Sequence, residues 1–335
     1  MGEKSITIED VAQAAGVSRQ TVSNVLNTPA IVKATTRERV QDAIAKLGYA
    51  PHASARRLRT RRSATIGIHL DPYAGGISGV VLDRFVHALT ESAGDRGLRV
   101  LVYAASDEDE EIRRMSELVD AGDVEAVVVT GTRYGDRRIA WLTERGVPFV
   151  SFGRPWDASP HDDAAHLWVD VDGASGTRAA TEHALSVGPR VAFLGWPAGS
   201  PTGDDRERGW REAMMDAGAS PDLRLSAEER VADARDRVVE LLGAADVDAI
   251  VCASDTLAVG AHVAAVAAHH SDLVIIGFDN TPAVEALGLP SVEQLPELVA
   301  AGTLDLLMAG GTRIERRAAG SGVAHVLVQP RLVIR

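Results

Sequence analysis

One cysteine, Cys252, stands in 335 residues, which excludes an intramolecular disulfide framework and a multi-cysteine zinc or iron–sulfur site and suits a reducing compartment. Aromatic residues make up only 4% of the chain, so each tryptophan calls for a separate explanation. Long hydrophobic runs are missing: the longest, residues 257–268, is alanine-rich, contains His262 and is too short to span a bilayer. No basic segment followed by an apolar one opens the chain, so the expected location is the cytoplasm, with no membrane partner. The chain also lacks a phosphate loop ending in Gly-Lys-Ser/Thr, a Gly-x-Ser-x-Gly elbow and a His-Glu-x-x-His pair, and its histidines are scattered. Catalytic residues, metal ligands and cofactors are therefore not expected.

Positive charge is scarce overall, with a net charge of −12, but its distribution is uneven. Residues 1–62 hold eleven Lys and Arg against five Asp and Glu, a net of +6, which leaves −18 for the rest. A basic head on an acidic body is what a chain needs when only the head meets a polyanion. At 45% hydrophobic and 24% charged residues the composition is globular, and the length suits two or three domains.

The head reads as helical. Thr7 is a candidate N-cap for a helix whose apolar positions Ile8, Val11, Ala12 and Ala15 recur at helical spacing and stop at Gly16. Ser18 can cap a second helix, with Val22, Val25 and Leu26 on one face and Arg19, Gln20, Ser23, Asn24 and Asn27 largely on the other. A third helix is expected from about Thr36 through Val40, Ile44 and Leu47 to Gly48. Three short helices with a tight glycine turn make a helix-turn-helix module, assigned to residues 1–50. A basic stretch from His52 to Arg59 has only Ala53, Ala55 and Leu58 apolar, so it is expected to be a marginal helix in a linker over 51–63.

From Thr65 the pattern changes to short β-rich runs separated by helical segments: Ile66–Leu70, Val100–Ala104, Ala126–Thr130, Phe149–Phe152, Val191–Trp196, Ala249–Ala253 and Val274–Phe278. Continuous apolar strands between helices indicate parallel sheets covered on both faces. A Gly/Pro-rich stretch around Gly153–Pro160 divides them, so residues 64–335 are expected to form two doubly wound lobes. Later runs, Val292–Leu295 and Val326–Ile334, would complete the second lobe. Ligands of such folds bind beyond the carboxyl ends of the strands.

The segment Thr7-Ile8-Glu9-Asp10-Val11-Ala12, continuing through Gly16-Val17-Ser18-Arg19-Gln20-Thr21-Val22-Ser23-Asn24-Val25-Leu26-Asn27, resembles the DNA-binding head of the lactose repressor (LacI/GalR) family. Val32-Lys33, Thr36-Arg37-Glu38-Arg39-Val40, Leu47-Gly48-Tyr49-Ala50-Pro51-His52 and Ala55-Arg56-Arg57-Leu58 follow that family's third helix and hinge helix in order. Val169-Asp170-Val171-Asp172, Gly176, Val191–Gly195, Arg206 with Gly209, Ser254-Asp255 and Gly277-Phe278-Asp279-Asn280 resemble successive landmarks of its effector-binding core, which has the periplasmic-binding-protein-like fold.

The resemblance implies base readers at Arg19, Gln20 and Asn24, residue types that suit base-edge readout from the start of a recognition helix. It implies phosphate contacts near Thr7, Ser18, Thr21, Ser23, Asn27, Thr36 and Tyr49. In the hinge it implies contacts from His52 and Ala55 and a Leu58 that wedges into the minor groove of double-stranded operator DNA. In the core it implies that Arg206 grips effector oxygens and that Asp279 accepts sugar hydroxyls. Asp255 either meets the effector or caps the following helix. Trp196 at a strand end could cover the apolar face of a sugar ring, and Asp71 and Arg154 complete the expected effector site.

The expected function is that of a homodimeric regulator, a repressor released from a pseudo-palindromic operator by a sugar or glycoside. Gly195-Trp196-Pro197 with Gly203–Arg206 resembles regulators of β-glucoside use, which puts cellobiose-like ligands first. No heptad run follows Val333, so dimers rather than tetramers are expected. The alternatives are a corepressor-dependent regulator, whose ligand strengthens DNA binding, and a sugar-binding transport component, against which the basic head argues.

Overall fold

The computed structural model describes residues 6–49, 63–70, 79–157, 166–309, 314 and 325–335. The chain divides into two compact units, residues 1–63 and 64–335. The expected hinge segment, with His52, Ala55 and Leu58, and the candidate Asp71 lie outside the described residues.

In the first unit, helix α1 (Ile8–Ala15) opens with a reciprocal cap: the Thr7 hydroxyl faces the Asp10 N–H at 3.3 Å, and the Thr7 N–H donates to the Asp10 carboxylate at 2.8 Å. It ends at Gly16, whose φ of 60° is the left-handed conformation that glycine takes at no steric cost. Helix α2 (Arg19–Asn27) starts from the Ser18 hydroxyl, which accepts from the Thr21 N–H. Helix α3 (Ala34–Leu47) begins two residues earlier than its apolar spacing suggests, because Lys33 holds the N-cap position without a side-chain bond to mark it. Val11, Ala12, Ala15, Val22, Val25, Val40 and Ala43 form the small core of this unit.

The second unit holds two six-stranded sheets. The first has strand order β11-β5-β4-β3-β1-β2, from β1 (Thr65–Leu70), β2 (Arg99–Ala104), β3 (Ala126–Val129), β4 (Phe149–Phe152), β5 (Leu167–Val171) and β11 (His325–Val328). The second is β12-β10-β9-β8-β6-β7, from β6 (Val191–Gly195), β7 (Arg224–Ser226), β8 (Ala249–Cys252), β9 (Val274–Phe278), β10 (Ser291–Glu293) and β12 (Arg331–Val333). Every pairing is parallel except β10 with β12.

The helices of this unit are α4 (Gly79–Asp95), α5 (Glu108–Asp120), α6 (Arg137–Glu144), α7 (Gly173–Leu185), α8 (Pro201–Asp216), α9 (Val231–Ala244), α10 (Asp255–Ala267), α11 (Pro282–Ala286) and α12 (Pro296–Met308). The alanine-rich run of the sequence is α10, buried along much of its length between β9 and α9. Its small side chains let α9 approach so closely that a Cβ on Gly260 would overlap Ala234 and the Val231 carbonyl.

Three corrections concern how the lobes are joined. The chain first leaves the first sheet after β5, at Asp172, and not at the Gly153–Pro160 stretch. The expected strand Val292–Leu295 stops at Glu293: Gln294 and Leu295 cross back, Leu295 with a left-handed φ of 53°, and α12 packs on α4, β4 and β5 of the first lobe. The expected strand Val326–Ile334 is two strands split at Gln329-Pro330, so only β12 completes the second lobe while β11 joins the first. Pro330 has no N–H to offer a ladder, and the crossing occurs there. Strands β5 and β7 are additional to those the sequence suggests, since β5 carries Asp170 amid its apolar residues and β7 is a three-residue edge opening on Arg224.

Candidate effector cleft and DNA-reading helix

On the head, Ser18, Arg19 and Gln20 are exposed at the start of α2, and Asn24 is half-buried one turn further on. Gln20 Nε2 donates to Asn24 Oδ1 at 3.0 Å, and Arg19 pairs with Glu9 at 3.0 Å with both side chains largely exposed. Such a surface pair contributes about 0–1 kcal/mol and can be exchanged for a polyanion with little loss. Ser18 and Thr21 hydroxyls lie 2.9 Å apart, Ser23 is half-buried on the next turn, and Asn27 closes the helix. Thr7 is engaged in its cap, Thr36 sits in the first turn of α3, and Tyr49 packs its ring on the small core. Arg19, Gln20 and Asn24 thus share one exposed face, while Thr36 and Tyr49 belong to other elements.

In the core, a cavity of about 210 Å³ lies between the lobes. Phe152 and Trp156 line it from the first lobe, Phe278 and Arg206 from the second, and Gln294 from a crossover. Arg206 is in the second turn of α8, which begins at Pro201 with the Ser200 hydroxyl as its cap. Residues 203–210 all lie in this helix, its buried face including Gly203, Asp205, Arg206, Gly209 and Trp210. A Cβ on Gly209 would overlap the Ala174 carbonyl, so α7 and α8 meet backbone to backbone, and this holds Arg206 inside.

Arg206 is only 5% exposed. Its Nη1 donates to the Ala253 carbonyl at 2.5 Å and lies 3.8 Å from Asp279, and its Cζ sits 3.7 Å from the Phe278 ring centre and 5.3 Å from that of Trp196. Its Nε has no partner although it is buried. Burial pushes the guanidinium below its usual range, opposed chiefly by Asp279. Asp279, just after β9 with φ 118°, accepts from Gln294 Nε2 at 2.6 Å and stands behind Arg206 and Gln294 without lining the cavity itself. Burial raises its carboxyl to about 7, with Arg206 pulling it back and Asp255 adding to the rise.

The other expected contacts are arranged differently. Asp255 is fully buried and accepts from the Thr281 N–H and the Ser291 hydroxyl, each at 2.6 Å, so one oxygen ties the 279–281 turn to α10, the other ties β10 to it, and neither lines the cavity. Burial raises its carboxyl, opposed first by Ser291. The cap of α10 is Ser254. Trp196 points its Nε1 at Glu229, 2.5 Å away, and packs beside Arg206 as a wall behind it, off the cavity lining. Arg154 is held by Asp170 at 2.5 Å and the Val171 carbonyl at 3.0 Å, so it backs the lining without joining it.

Of the remaining tryptophans, Trp210 is a core residue stacked 5.5 Å from Phe193, Trp168 stacks on His325 at 4.3 Å, and Trp156 faces the cavity with its Nε1 bonded to Thr132. Phe152, Asp170, Asp205 and Gln294 line the cavity without being singled out as contacts by the sequence. Asp205 neighbours Arg206 and Asp170 lies in the Val-Asp-Val-Asp run, which are signals of a kind. Gln294 has none, because a crossover brings it in.

Two sheets joined by three crossovers, a cavity between them lined by aromatic and charged side chains, and a separate helix-turn-helix unit define a DNA-binding regulator with a ligand-binding core. Compared with known proteins, residues 7–52 match the bacterial regulatory proteins of the lacI family, and residues 81–330 match the periplasmic binding proteins and sugar binding domain of the LacI family. The HTH-type transcriptional regulator CelR of Thermobifida fusca is 33% identical over 316 residues, covering 88% of each chain. A solved structure of a transcriptional regulator CelR–cellobiose complex superposes with a TM-score of 0.69 at 26% identity, covering 98% of this chain and 99% of that one. The lac repressor dimer bound to operator and the anti-inducer ONPF shares the fold with a TM-score of 0.82 at 24% identity, covering 98% of each chain. The chain belongs to the LacI family of transcriptional regulators. Among the described residues, no helix is long and apolar enough to cross a membrane.

Proposed function

We propose that this regulator is a cytoplasmic homodimeric repressor that releases a pseudo-palindromic operator when a sugar or glycoside enters the cleft between its core lobes, without transforming that ligand. One observation carries the reading: the buried Arg206 lies over the face of Phe278 with its Nη1 beside Asp279 and its Nε unpartnered, in a cavity also lined by Phe152 and Trp156. Aromatic faces cover the C–H surface of a sugar ring, while a guanidinium and a carboxylate take its hydroxyls. Cellobiose is the first candidate, in view of the CelR–cellobiose complex.

On DNA, Arg19, Gln20 and Asn24 read base edges, and Thr7, Ser18, Thr21, Ser23, Asn27, Thr36 and Tyr49 contact phosphates. Leu58 of the hinge wedges into the minor groove. Effector binding and DNA release are linked because the ligand favours one relative pose of the lobes. The test is thermal unfolding against mono- and disaccharides, followed by operator affinity with each hit. A ligand bound only to the folded state raises the melting temperature. The expected result is a saturable shift with a glycoside that also lowers operator affinity. A ligand that tightens operator binding would instead make the protein corepressor-dependent, and no shift with any sugar would remove the sugar assignment.

A further inference from the structure

Outside the crossovers, the lobes are tied across the cleft by a hydrogen bond between exposed side chains. Tyr134, in the loop after β3 of the first lobe, donates its hydroxyl to Asp204 Oδ2 at 3.1 Å, and Asp204 lies in the first turn of α8 in the second lobe. Neither residue lines the cavity, but both are neighbours in sequence of residues that do: Gly131 and Thr132 on one side, Asp205 and Arg206 on the other. A longer ion pair, Arg154 with Asp205 at 3.6 Å, spans the lobes beside it.

The Tyr134 loop is held rigidly from behind. Arg138, 1% exposed, donates to the Thr130 and Gly131 carbonyls at 3.1 Å, where the loop begins, and to both oxygens of Asp136, where it ends. It also donates to Glu111 at 2.9 Å. A buried guanidinium is costly to desolvate unless its donors are satisfied. Here they are, and the outcome is that residues 130–136 have fixed ends. The Gly135 N–H donates to Asp157 at 2.6 Å, and Thr132 holds the Trp156 indole at 2.9 Å. One loop therefore both positions an aromatic wall of the cavity and extends Tyr134 toward the opposite lobe.

We propose that Tyr134 and Asp204 form a latch that holds the lobes closed, with the loop fixed by Arg138 as its arm, and that this latch retains the effector. The closed pairing rests on contacts of the core alone. Its effect on effector retention rests on the reading of the cleft as a sugar site. Tyr134 is a positioning residue, acting through the lobe pose. Since the latch spans the lobes, it favours ligands that fit inside the closed cavity over ones that prop the lobes apart.

The experiment separates the two parts. Spin labels are placed on the full chain at Glu144→Cys of the first lobe and Ala217→Cys of the second, both exposed, the native Cys252 being buried. Pulsed dipolar distances are then read without sugar and with cellobiose. Without sugar, Tyr134→Phe and Asp204→Ala are each expected to shift the interlobe distribution away from that of the unsubstituted pair, and the double variant no further than either alone. Identical distributions in all four proteins would overturn the latch, whether or not any sugar binds.

With cellobiose, each variant is expected to weaken binding about five- to tenfold, the scale of one hydrogen bond. A changed distribution with unchanged cellobiose affinity would overturn the retention role. If the unsubstituted core does not bind cellobiose, the sugar assignment fails for that ligand, and the sugar-free distances still decide the latch.

Discussion

Asp279 carries the clearest consequence at the scale of single residues. Its carboxyl is raised to about 7 by burial, above the value of about 4 that it has in an unfolded chain. The contribution of Asp279 to the stability of the ligand-free core therefore falls as pH rises from about 4 through 7, because the folded state must give up a proton that the unfolded chain has already lost. Asp279→Asn is expected to raise the sugar-free melting temperature at pH 8 more than at pH 5. Asp279 faces Arg206 and Gln294, which line the cavity, so its ionisation should change effector affinity through them, and the variant should lose that pH dependence. Titrations at several pH values check this, and a pH-independent affinity in the parent protein would count against coupling of Asp279 to the site. Arg206→Ala is expected to abolish the effector response while leaving sugar-free operator binding intact; an unchanged dose response would take Arg206 out of the site.

His166 behaves in the opposite sense to Asp279. Burial lowers its pKa to about 4, and it sits 2.9 Å from the Ser151 hydroxyl, stacked on Phe149. Its folded value lies below the unfolded value of about 6.5, so its contribution is present above that pH and is lost as pH falls toward 4. The scale is on the order of 3 kcal/mol across that window. Because Asp279 acts in the opposite direction over the same window, the His166 contribution is read as a difference: in urea unfolding at pH 7 and pH 5, His166→Asn should shift the balance toward greater stability at pH 5 relative to the parent.

Among the elements, α7 and α8 are joined by Gly209, where an added Cβ would meet the Ala174 backbone and no flexible side chain could yield. Gly209→Ala is expected to destabilise the core by roughly 1–3 kcal/mol through the forced separation of the helices, and to weaken effector binding because Arg206 lies on the same helix. Thermal unfolding gives the first effect and sugar titration the second; a stable variant with normal sugar affinity would refute the close packing. For α2, the turn at Gly16 and the Ser18 cap set where the helix begins, and so which residues its exposed first turn presents. Leu58→Ala in the hinge is expected to weaken specific operator binding while sparing non-specific binding, and equal loss on both would refute the wedge.

At the scale of the whole molecule, charge separation sets the behaviour on DNA. A head of +6 on a body of −18 confines the attraction for phosphate to one end. Operator affinity should fall steeply with salt, linearly on logarithmic axes. Arg19→Ala should lower affinity with partial loss of discrimination at one base pair, whereas Thr36→Ala should weaken all sequences alike. Competition assays with operator variants at two salt concentrations separate these outcomes.

The sequence by itself determined what depends on local rules: helix caps at Thr7 and Ser18, the stop at Gly16, the apolar faces of the three head helices, and most parallel strands as continuous apolar runs. The resemblance of its motifs to the LacI family also pointed to Arg206 and Asp279 as candidates. Tertiary structure decided what depends on partners distant in the chain. Pro330 divides one apolar run between two sheets, and Gln294 reaches the cavity only because the chain crosses there. Asp255 has both oxygens bound by residues 26 and 36 positions away. Trp196 faces Glu229, and Arg154 faces Asp170, rather than open cleft. A polar side chain buried in a fold takes whichever partner the packing brings near, and that choice is not encoded in its neighbours along the chain.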